Sequence, residues 1–195
     1  ISDWPCPSLL LPGAEPATSL SWSSQSPYLL ATSTDNTSIR VFDLRQCAEV
    51  KELAVEGKAA HMAVSRSGHW LAVADEVYDL WLGPASGPLS NASRLRFMTL
   101  DLGFTPGGKM LNVVDQIGWV TVWMPDTGEL AGRYLVPGGP FQKAELDGRH
   151  LRLTSVKGEN LCWDLASRAF VNEPQSEFGF FLDQGVLSYR TLKLY

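Results

Sequence analysis

The stretch that decides the fold is Gly107-Gly108-Lys109-Met110-Leu111-Asn112, a turn that leads directly into a short hydrophobic run. The same arrangement occurs three more times along the chain. The central leucines of the four copies are spaced by 41, 40 and 40 residues, and they are Leu30, Leu71, Leu111 and Leu151. A fixed spacing of this size indicates structural units repeated in tandem.

Each copy is followed by a second turn and a short run that contains an aromatic residue. These runs are Val41-Phe42-Asp43, Leu80-Trp81-Leu82, Val122-Trp123-Met124 and Cys162-Trp163-Asp164. The segments between turns are rich in valine, leucine, threonine and aromatic residues, and they are too short for stacked helices. The sequence therefore predicts an all-β chain built from four-strand units.

Several units also resemble the WD-repeat family of β-propellers. Residues 33–44, Ser-Thr-Asp-Asn-Thr-Ser-Ile-Arg-Val-Phe-Asp-Leu, are similar to the family's turn aspartate followed by a strand that ends in Trp-Asp. The fourth unit ends in Trp163-Asp164-Leu165, and residues 105–109, Thr-Pro-Gly-Gly-Lys, are similar to the family's Ser-Pro-Asp-Gly-Lys turn. No unit opens with the Gly-His pair that usually starts a repeat, so the family's Asp-His-Ser-Trp network is incomplete here. The resemblance implies a divergent WD-like β-propeller of four-stranded antiparallel blades.

The two ends of the chain suggest how the ring closes. Residues 9–13, Leu-Leu-Leu-Pro-Gly, resemble residues 134–138, Tyr-Leu-Val-Pro-Gly, which form the outer strand of the third unit and its exit turn. Residues 178–195 read as the three inner strands of a further unit. We therefore expect a single domain over 1–195 with five blades, in which the N-terminal strand closes the last blade and hides edge strands. The expected repeats are 18–56, 57–98, 99–139 and 140–174, with 175–195 plus 1–13 as a composite blade. The alternative is a fragment of a longer propeller.

The composition limits the class of protein. The chain has 195 residues, of which 45% are hydrophobic and 19% charged, and this balance supports a folded core. The net charge of −5 argues against a surface that tracks nucleic-acid phosphates. No apolar run approaches the roughly 20 residues that cross a bilayer, so we expect no membrane partner. The three cysteines form no close pair, which favours a reducing compartment, the cytoplasm, although a signal peptide already removed would leave no trace.

Some prominent residues have structural interpretations. Trp81, Trp123 and Trp163 recur at the end of the third strand, where packing between blades is expected. Asp35 stands in a second-to-third-strand turn, as do Asp75 and Asp115. We expect these carboxylates to accept hydrogen bonds from nearby turn amides.

Four other residues have no such structural duty and are candidates for partner binding. The resemblance implies that the second-to-third-strand turns lie on one rim of the disc, the family's usual partner surface. The candidates assigned to these turns are Glu76, Trp119, Lys157 and Arg190. Trp119, which follows Gly118, is either tucked against its blade or acts as a binding anchor.

An enzymatic interpretation finds no support in the sequence. His61, His69 and His150 do not have metal-ligand spacing, and no Gly-x-Ser-x-Gly elbow occurs. We expect no catalytic residue, no metal and no cofactor. The predicted function is a non-catalytic platform, a scaffold or adaptor that presents its loops to a protein or peptide, within a larger complex. The alternative is a ligand-sensing or substrate-binding propeller domain associated with an enzyme, and the mostly apolar inner strands favour the first interpretation.

Overall fold

A computed structural model of the chain describes residues 20–22, 28–32, 38–43, 48–54, 58–85, 87–171, 178–183 and 186–191. Every regular element in these ranges is a β-strand. The strands are β1 (Leu20–Trp22), β2 (Tyr28–Thr32), β3 (Ser38–Asp43), β4 (Ala48–Ala54), β5 (Ala59–Val64), β6 (Trp70–Asp75), β7 (Asp79–Pro84), β8 (Ser90–Arg94), β9 (Thr99–Phe104), β10 (Leu111–Asp115), β11 (Trp119–Met124), β12 (Glu129–Leu135), β13 (Phe141–Leu146), β14 (His150–Ser155), β15 (Asn160–Asp164), β16 (Ala169–Val171), β17 (Phe178–Asp183) and β18 (Val186–Thr191).

The strands form four antiparallel sheets of four strands each. In chain order, β1 to β4 make the first sheet, β5 to β8 the second, β9 to β12 the third and β13 to β16 the fourth, while β17 pairs with β18. Each strand lies beside the next strand in the chain, so every sheet is a simple meander. The predicted all-β class with four-stranded antiparallel units is confirmed. Residues 1–13 and 192–195, on which the composite fifth blade depends, lie outside the described residues, and the count of five stays a prediction.

Short polar turns set the register of the sheets. In the third sheet the amide of Gly108 donates to the carbonyl oxygen of Thr105 at 2.8 Å, and the amide of Met110 donates to Thr105 Oγ1 at 3.3 Å. This turn places Leu111 opposite Phe104. Because side chains alternate between the two faces of a strand, that register decides which residues are buried on each side.

Successive sheets pack face to face through three separate hydrophobic clusters. Along β6, Leu71 and Val73 belong to the cluster shared with the first sheet, whereas Ala72 and Ala74 belong to the cluster shared with the third. A third cluster joins the third and fourth sheets around Leu151 and neighbouring residues. Both faces of the second and third sheets are therefore covered, as propeller blades require.

The first strands of the sheets lie at the shared centre. β9 contacts both β5 and β13, and a side-chain hydrogen bond crosses between sheets there. The amide of Leu146 in β13 donates to Asp101 Oδ2 in β9 at 2.6 Å. The sheets thus radiate outward from their first strands, with the fourth strands at the outer edge.

Candidate functional site

The turns at opposite ends of the strands form two different rims. One rim contains the second-to-third-strand turns and the links between sheets, and we call it the connection rim. It comprises residues 76–78, 95–98, 116–118, 136–140 and 156–159. The other contains the first-to-second and third-to-fourth-strand turns, and we call it the hairpin rim. It comprises residues 65–69, 87–89, 105–110, 124–128, 147–149 and 165–168.

Carboxylates fix the turns of the connection rim. Asp75 accepts hydrogen bonds from the amides of Val77 at 3.0 Å and Asp79 at 2.8 Å, and its second oxygen accepts from Trp81 Nε1 at 3.0 Å. Asp115 has the equivalent position in the third sheet and accepts from three turn amides at 2.9 to 3.0 Å. Both aspartates therefore act as turn caps, as the sequence predicted, while Asp35 lies outside the described residues.

In the fourth sheet a serine takes the place of the aspartate. Ser155 Oγ accepts from the amides of Lys157 and Glu159, each at 3.2 Å. The hydroxyl thus fixes the turn without adding a negative charge to this part of the rim.

Neighbouring loops of the connection rim are also bonded to one another. The amide of Leu95 donates to the carbonyl oxygen of Tyr78 at 2.6 Å, and the amide of Gln116 donates to that of Met98 at 3.1 Å. The amide of Val156 donates to the carbonyl oxygen of Pro140 at 3.2 Å. These bonds join loops of three sheets into one connected surface.

Gly118 allows a further close approach between loops of this rim. Its φ of 100° lies in the left-handed region. A Cβ atom at this position would lie 2.7 Å from the ring of Phe141 and 2.9 Å from the carbonyl oxygen of Val136. Only glycine combines that conformation with that lack of space.

The connection rim exposes apolar side chains. Val77, Tyr78, Met98 and Val156 are 48%, 39%, 45% and 57% exposed, and Phe97 and Ile117 lie on the same rim. Within the described part of the hairpin rim, no large hydrophobic residue is exposed to this degree. Such a cluster on one side of a protein is typical of an interaction surface.

Tyr78 combines its exposure with an unusual backbone. Its φ of 71° is in the left-handed region, which costs a non-glycine residue roughly 1–2 kcal/mol. A bulky aromatic that is held exposed in a strained turn contributes little to the core. Residues of this kind are found preferentially at functional sites.

A groove opens between the second and third sheets where they reach the connection rim. It has a volume of about 370 Å³, with Val113 and Trp123 among its buried lining residues. The first four residues of β8, Ser-Asn-Ala-Ser, have small side chains that do not fill the space beside the larger residues of the third sheet. The groove is therefore the part of the interface between these sheets that the hydrophobic cluster leaves unfilled.

Arginines surround this groove. Arg94, Arg96 and Arg133 line it and are exposed, and the guanidinium of Arg133 stacks over the ring of Trp119 at 4.8 Å. Its one lining carboxylate, Asp115, is occupied by three turn amides, and burial raises its pKa above the ordinary value. No carboxylate among the described residues forms an ion pair with these three arginines. The groove is thus locally basic in a chain of net charge −5.

The predicted binding residues are found in different settings. Glu76 and Lys157 are exposed on turns of the connection rim. Trp119 is the first residue of β11 and is half-buried under Arg133 in the groove, so it is tucked and still part of the candidate site. The predicted turn position of Arg190 is wrong, because Arg190 lies within β18, paired with Gly179. Tyr189-Arg190-Thr191 contains none of the usual turn residues and ends in a β-branched one, so the strand continues through it.

Of the tryptophans assigned to the third strands, two are buried and Trp81 is half-buried. Trp123 and Trp163 are each 6% exposed and lie in separate hydrophobic clusters. Trp81 packs at the edge of the cluster between the first and second sheets. Each is in the third strand of its sheet.

Sequence reasoning missed the arginines of the groove and the exposed apolar residues of the rim. Residues 94–98, Arg-Leu-Arg-Phe-Met, alternate cationic and apolar side chains, and this pattern was a usable signal. The residues next to Arg133 in the sequence contain no pattern that predicts its place in the groove. It reaches the groove because Thr121, two residues after Trp119, pairs with it across β11 and β12.

Polar groups on the first strands form hydrogen bonds between neighbouring sheets. Burial raises the pKa of Asp101 from 3.8 to about 6, partly offset by hydrogen bonds from the amides of Leu146 and Leu102. Burial lowers the pKa of His61, against the effect of a hydrogen bond with the backbone of Thr99. The contacts of Asp101 with Leu146 and of His61 with Thr99 each link one first strand to the next, so these groups hold sheets together.

The described ranges contain no group of three or more histidine, cysteine, aspartate or glutamate side chains placed to hold a metal ion. They also contain no helix of the length and apolar character needed to span a membrane.

No protein-family model and no curated protein matches the sequence. Solved structures do match the fold. Hydrazine synthase from Kuenenia stuttgartiensis aligns with a TM-score of 0.65 and 18% identity, over 82% of this chain and 49% of that chain. The Cps50 (Swd1) β-propeller domain from Myceliophteria thermophila aligns with a TM-score of 0.61 and 19% identity, over 75% of this chain and 51% of that chain. The chain thus spans about half the length of each structure, and the fold it shares with them is a β-propeller.

Proposed function

We propose that this propeller is a non-catalytic interaction platform that binds a protein partner through its connection rim. The observation that carries the proposal is the concentration of exposed apolar side chains on that rim, with Val77, Met98 and Val156 each close to half exposed or more. The described hairpin rim offers no comparable set. Apolar residues that remain exposed in the described part of the chain favour a partner surface over a purely structural one.

The rigidity of the rim supports the same function. Backbone hydrogen bonds link Tyr78 to Leu95, Met98 to Gln116 and Pro140 to Val156. A surface that is already ordered loses little conformational entropy when a partner binds. Glu76 and Lys157 stand on this surface as candidate polar contacts at its periphery.

The finer assignments belong to the same proposal. The Asp75–Trp81 hydrogen bond and the Trp163-Asp164 ending support a divergent WD-type propeller. A role as scaffold or adaptor in a larger complex follows from the fold by analogy. The three widely spaced cysteines favour a reducing, cytoplasmic setting.

A ligand-sensing or enzyme-associated propeller is the second candidate, and the structural likeness to a hydrazine synthase keeps it open. It would need free polar groups near the first strands. Asp101 does not supply such a free group, because each of its oxygens already accepts a hydrogen bond from a backbone amide, at 2.6 or 2.8 Å. Isothermal titration with candidate small molecules would favour this alternative if binding were lost in Asp101→Ala and kept in rim variants.

Site-specific crosslinking tests the interaction platform directly. A photoreactive amino acid is placed at exposed positions 77, 98 and 156 of the connection rim, and at exposed positions 66, 109 and 126 of the hairpin rim. We expect a crosslinked partner, identified by mass spectrometry, from the connection rim and none from the hairpin rim. The reverse pattern, or equal crosslinking from both rims, would assign the binding surface elsewhere.

A further inference from the structure

We propose that the groove between the second and third sheets binds an acidic peptide segment of the partner, with an aliphatic or aromatic side chain inserted between carboxylates. This inference rests on the proposed function, because the groove opens on the connection rim through Phe97 and Trp119. The juxtaposition that carries it is an apolar floor under a ring of three arginines.

The groove suits a side chain rather than a flat surface contact. Its volume of about 370 Å³ falls within the range of roughly 300–1,000 Å³ that ligand pockets show. Val113 and Trp123 are buried at its lining, and Leu130, half exposed, adds a further apolar wall. A peptide side chain that entered here would be removed from water on several sides, which is the main source of binding energy for such anchors.

The charge of the groove selects the rest of the ligand. Arg94, Arg96 and Arg133 have no carboxylate partner among the described residues, so their guanidinium groups are open to one. Arginine binds carboxylates through two parallel hydrogen bonds, which makes it selective for glutamate and aspartate in a peptide. The overall charge of −5 means that this local cluster of cations is opposite in sign to the chain as a whole.

Nucleic acid fits these observations less well. Binding to a phosphate backbone depends on many aligned cations that release counterions. Three arginines around one groove, on a chain with 21 acidic and 16 basic residues, supply only a short cationic run. The apolar floor would also have no use in backbone recognition.

The contact between Trp119 and Arg133 orders the groove before a ligand binds. Arg133 lies over the face of Trp119 at 4.8 Å, and this cation–π contact orders the guanidinium before any peptide arrives. A lysine at this position would keep the charge and lose both the planar stacking and the two-point hydrogen bonding. Arg133 is therefore a specificity-determining residue of the groove.

Selection from a phage-displayed library of random peptides tests the proposal on the full chain. We expect the recovered peptides to carry an excess of aspartate and glutamate around a leucine, isoleucine or aromatic residue. A selected peptide should lose about tenfold or more in affinity, measured by fluorescence anisotropy, to the Arg94→Glu/Arg96→Glu variant. Arg133→Lys should weaken it as well, and added salt should weaken binding to the parent protein.

The matched control is Arg66→Glu/Lys109→Glu, which makes the same total change of charge at two exposed positions on the hairpin rim and should leave affinity unchanged. Circular dichroism confirms that each variant keeps its fold. Recovery of no peptides, or of peptides without acidic bias, would overturn the proposal. Unchanged affinity in Arg94→Glu/Arg96→Glu, or tighter binding of a single-stranded oligonucleotide that competes with the peptide, would also overturn it.

The crosslinking experiment separates this inference from the function on which it rests. If position 98 still crosslinks the partner in the Arg94→Glu/Arg96→Glu variant with unchanged yield, the groove is not the peptide site and the platform function stands. If the parent protein gives no partner from any position of the connection rim, the function itself is wrong.

Discussion

Two aspartates respond to their surroundings in opposite ways. Asp101 lies between two first strands, where burial raises its pKa to about 6. Asp164 ends β15, where the amide of Ser167 donates to Oδ1 at 2.7 Å and Arg149 Nε donates to Oδ2 at 2.7 Å. The amide of Ser167 and then the guanidinium of Arg149 hold the pKa of Asp164 well below its ordinary value of 3.8. These two carboxylates should therefore give the stability of the protein opposite dependences on pH.

Asp101 should make the protein less stable as pH rises from about 4 to about 6. In this range the folded chain keeps a proton on Asp101 that the unfolded chain has released. The change of pKa from 3.8 to about 6 corresponds to roughly 3 kcal/mol lost from the free energy of unfolding across the range. Urea unfolding at a series of pH values should show this slope, and Asp101→Asn should remove it.

The control for this measurement is Asp126→Asn, in an exposed turn of the hairpin rim. It should leave the slope between pH 4 and 6 in place. A slope that survives in Asp101→Asn would assign the titration to another group.

Asp164 should contribute stability that is present near neutral pH and lost in acid. Its pKa is lowered in the folded chain, so below the ordinary value of 3.8 the unfolded chain takes up a proton that the folded chain resists. Asp164→Asn should lower the Tm at pH 7, and its difference from the parent should shrink as pH falls below 4. Thermal unfolding followed by circular dichroism at pH 7 and below pH 4 measures the difference in Tm between the parent and the variant. A difference that is the same at both pH values would contradict the prediction.

At the scale of elements, the connection rim depends on loops that approach one another through their backbones. Gly118→Ala should be strongly destabilising, because a left-handed backbone costs about 1–2 kcal/mol and the collision with Phe141 adds roughly 1–3 kcal/mol. Gly158→Ala isolates the first effect, since Gly158 has a φ of 85° and nothing within 4 Å of an added Cβ. Chemical unfolding should rank the two variants in that order, and equal losses would mean that the loops can separate without cost.

The turns and strands differ in how far the sequence predicted them. The leucine spacing and the recurring Trp81, Trp123 and Trp163 predicted the four-strand meander of each unit. They recur because the third strand of every sheet needs a large apolar side chain to pack against a neighbouring sheet. The position of Arg190 was predicted wrongly, because its segment has no sequence signal for the end of a strand.

The candidate site could be predicted only in part. Glu76 and Lys157 were placed on turns of this rim because turn residues without a capping role are visible in the sequence, and their role in binding stays a prediction. The groove was not predicted, because it joins Arg94 of β8 and Arg96 of the following link to Trp119 and Arg133 of the third sheet. Its existence also depends on the small side chains of β8, whose effect appears only when the facing sheet is known.

At the scale of the whole molecule, closure of the ring is the prediction that stays open. If residues 9–11 complete the last blade, deletion of residues 1–13 removes a strand from a four-stranded sheet and exposes its edge. The truncated protein should be destabilised by well over 1 kcal/mol and should aggregate more readily. Unfolding within about 1 kcal/mol of the intact chain, the scale of ordinary surface changes, would contradict a closed ring.

The division of β6 between two clusters has a consequence for how this sequence can change over evolution. Leu71 and Val73 face one neighbouring sheet, whereas Ala72 and Ala74 face the other. A change in size at Leu71 is therefore compensated by a residue of the first sheet, and a change at Ala72 by one of the third. Each interface between sheets can therefore change independently of the others. Pairs of residues that are substituted together should lie in adjacent repeats. A whole repeat should be replaceable only if the facing residues of both neighbouring repeats are replaced with it.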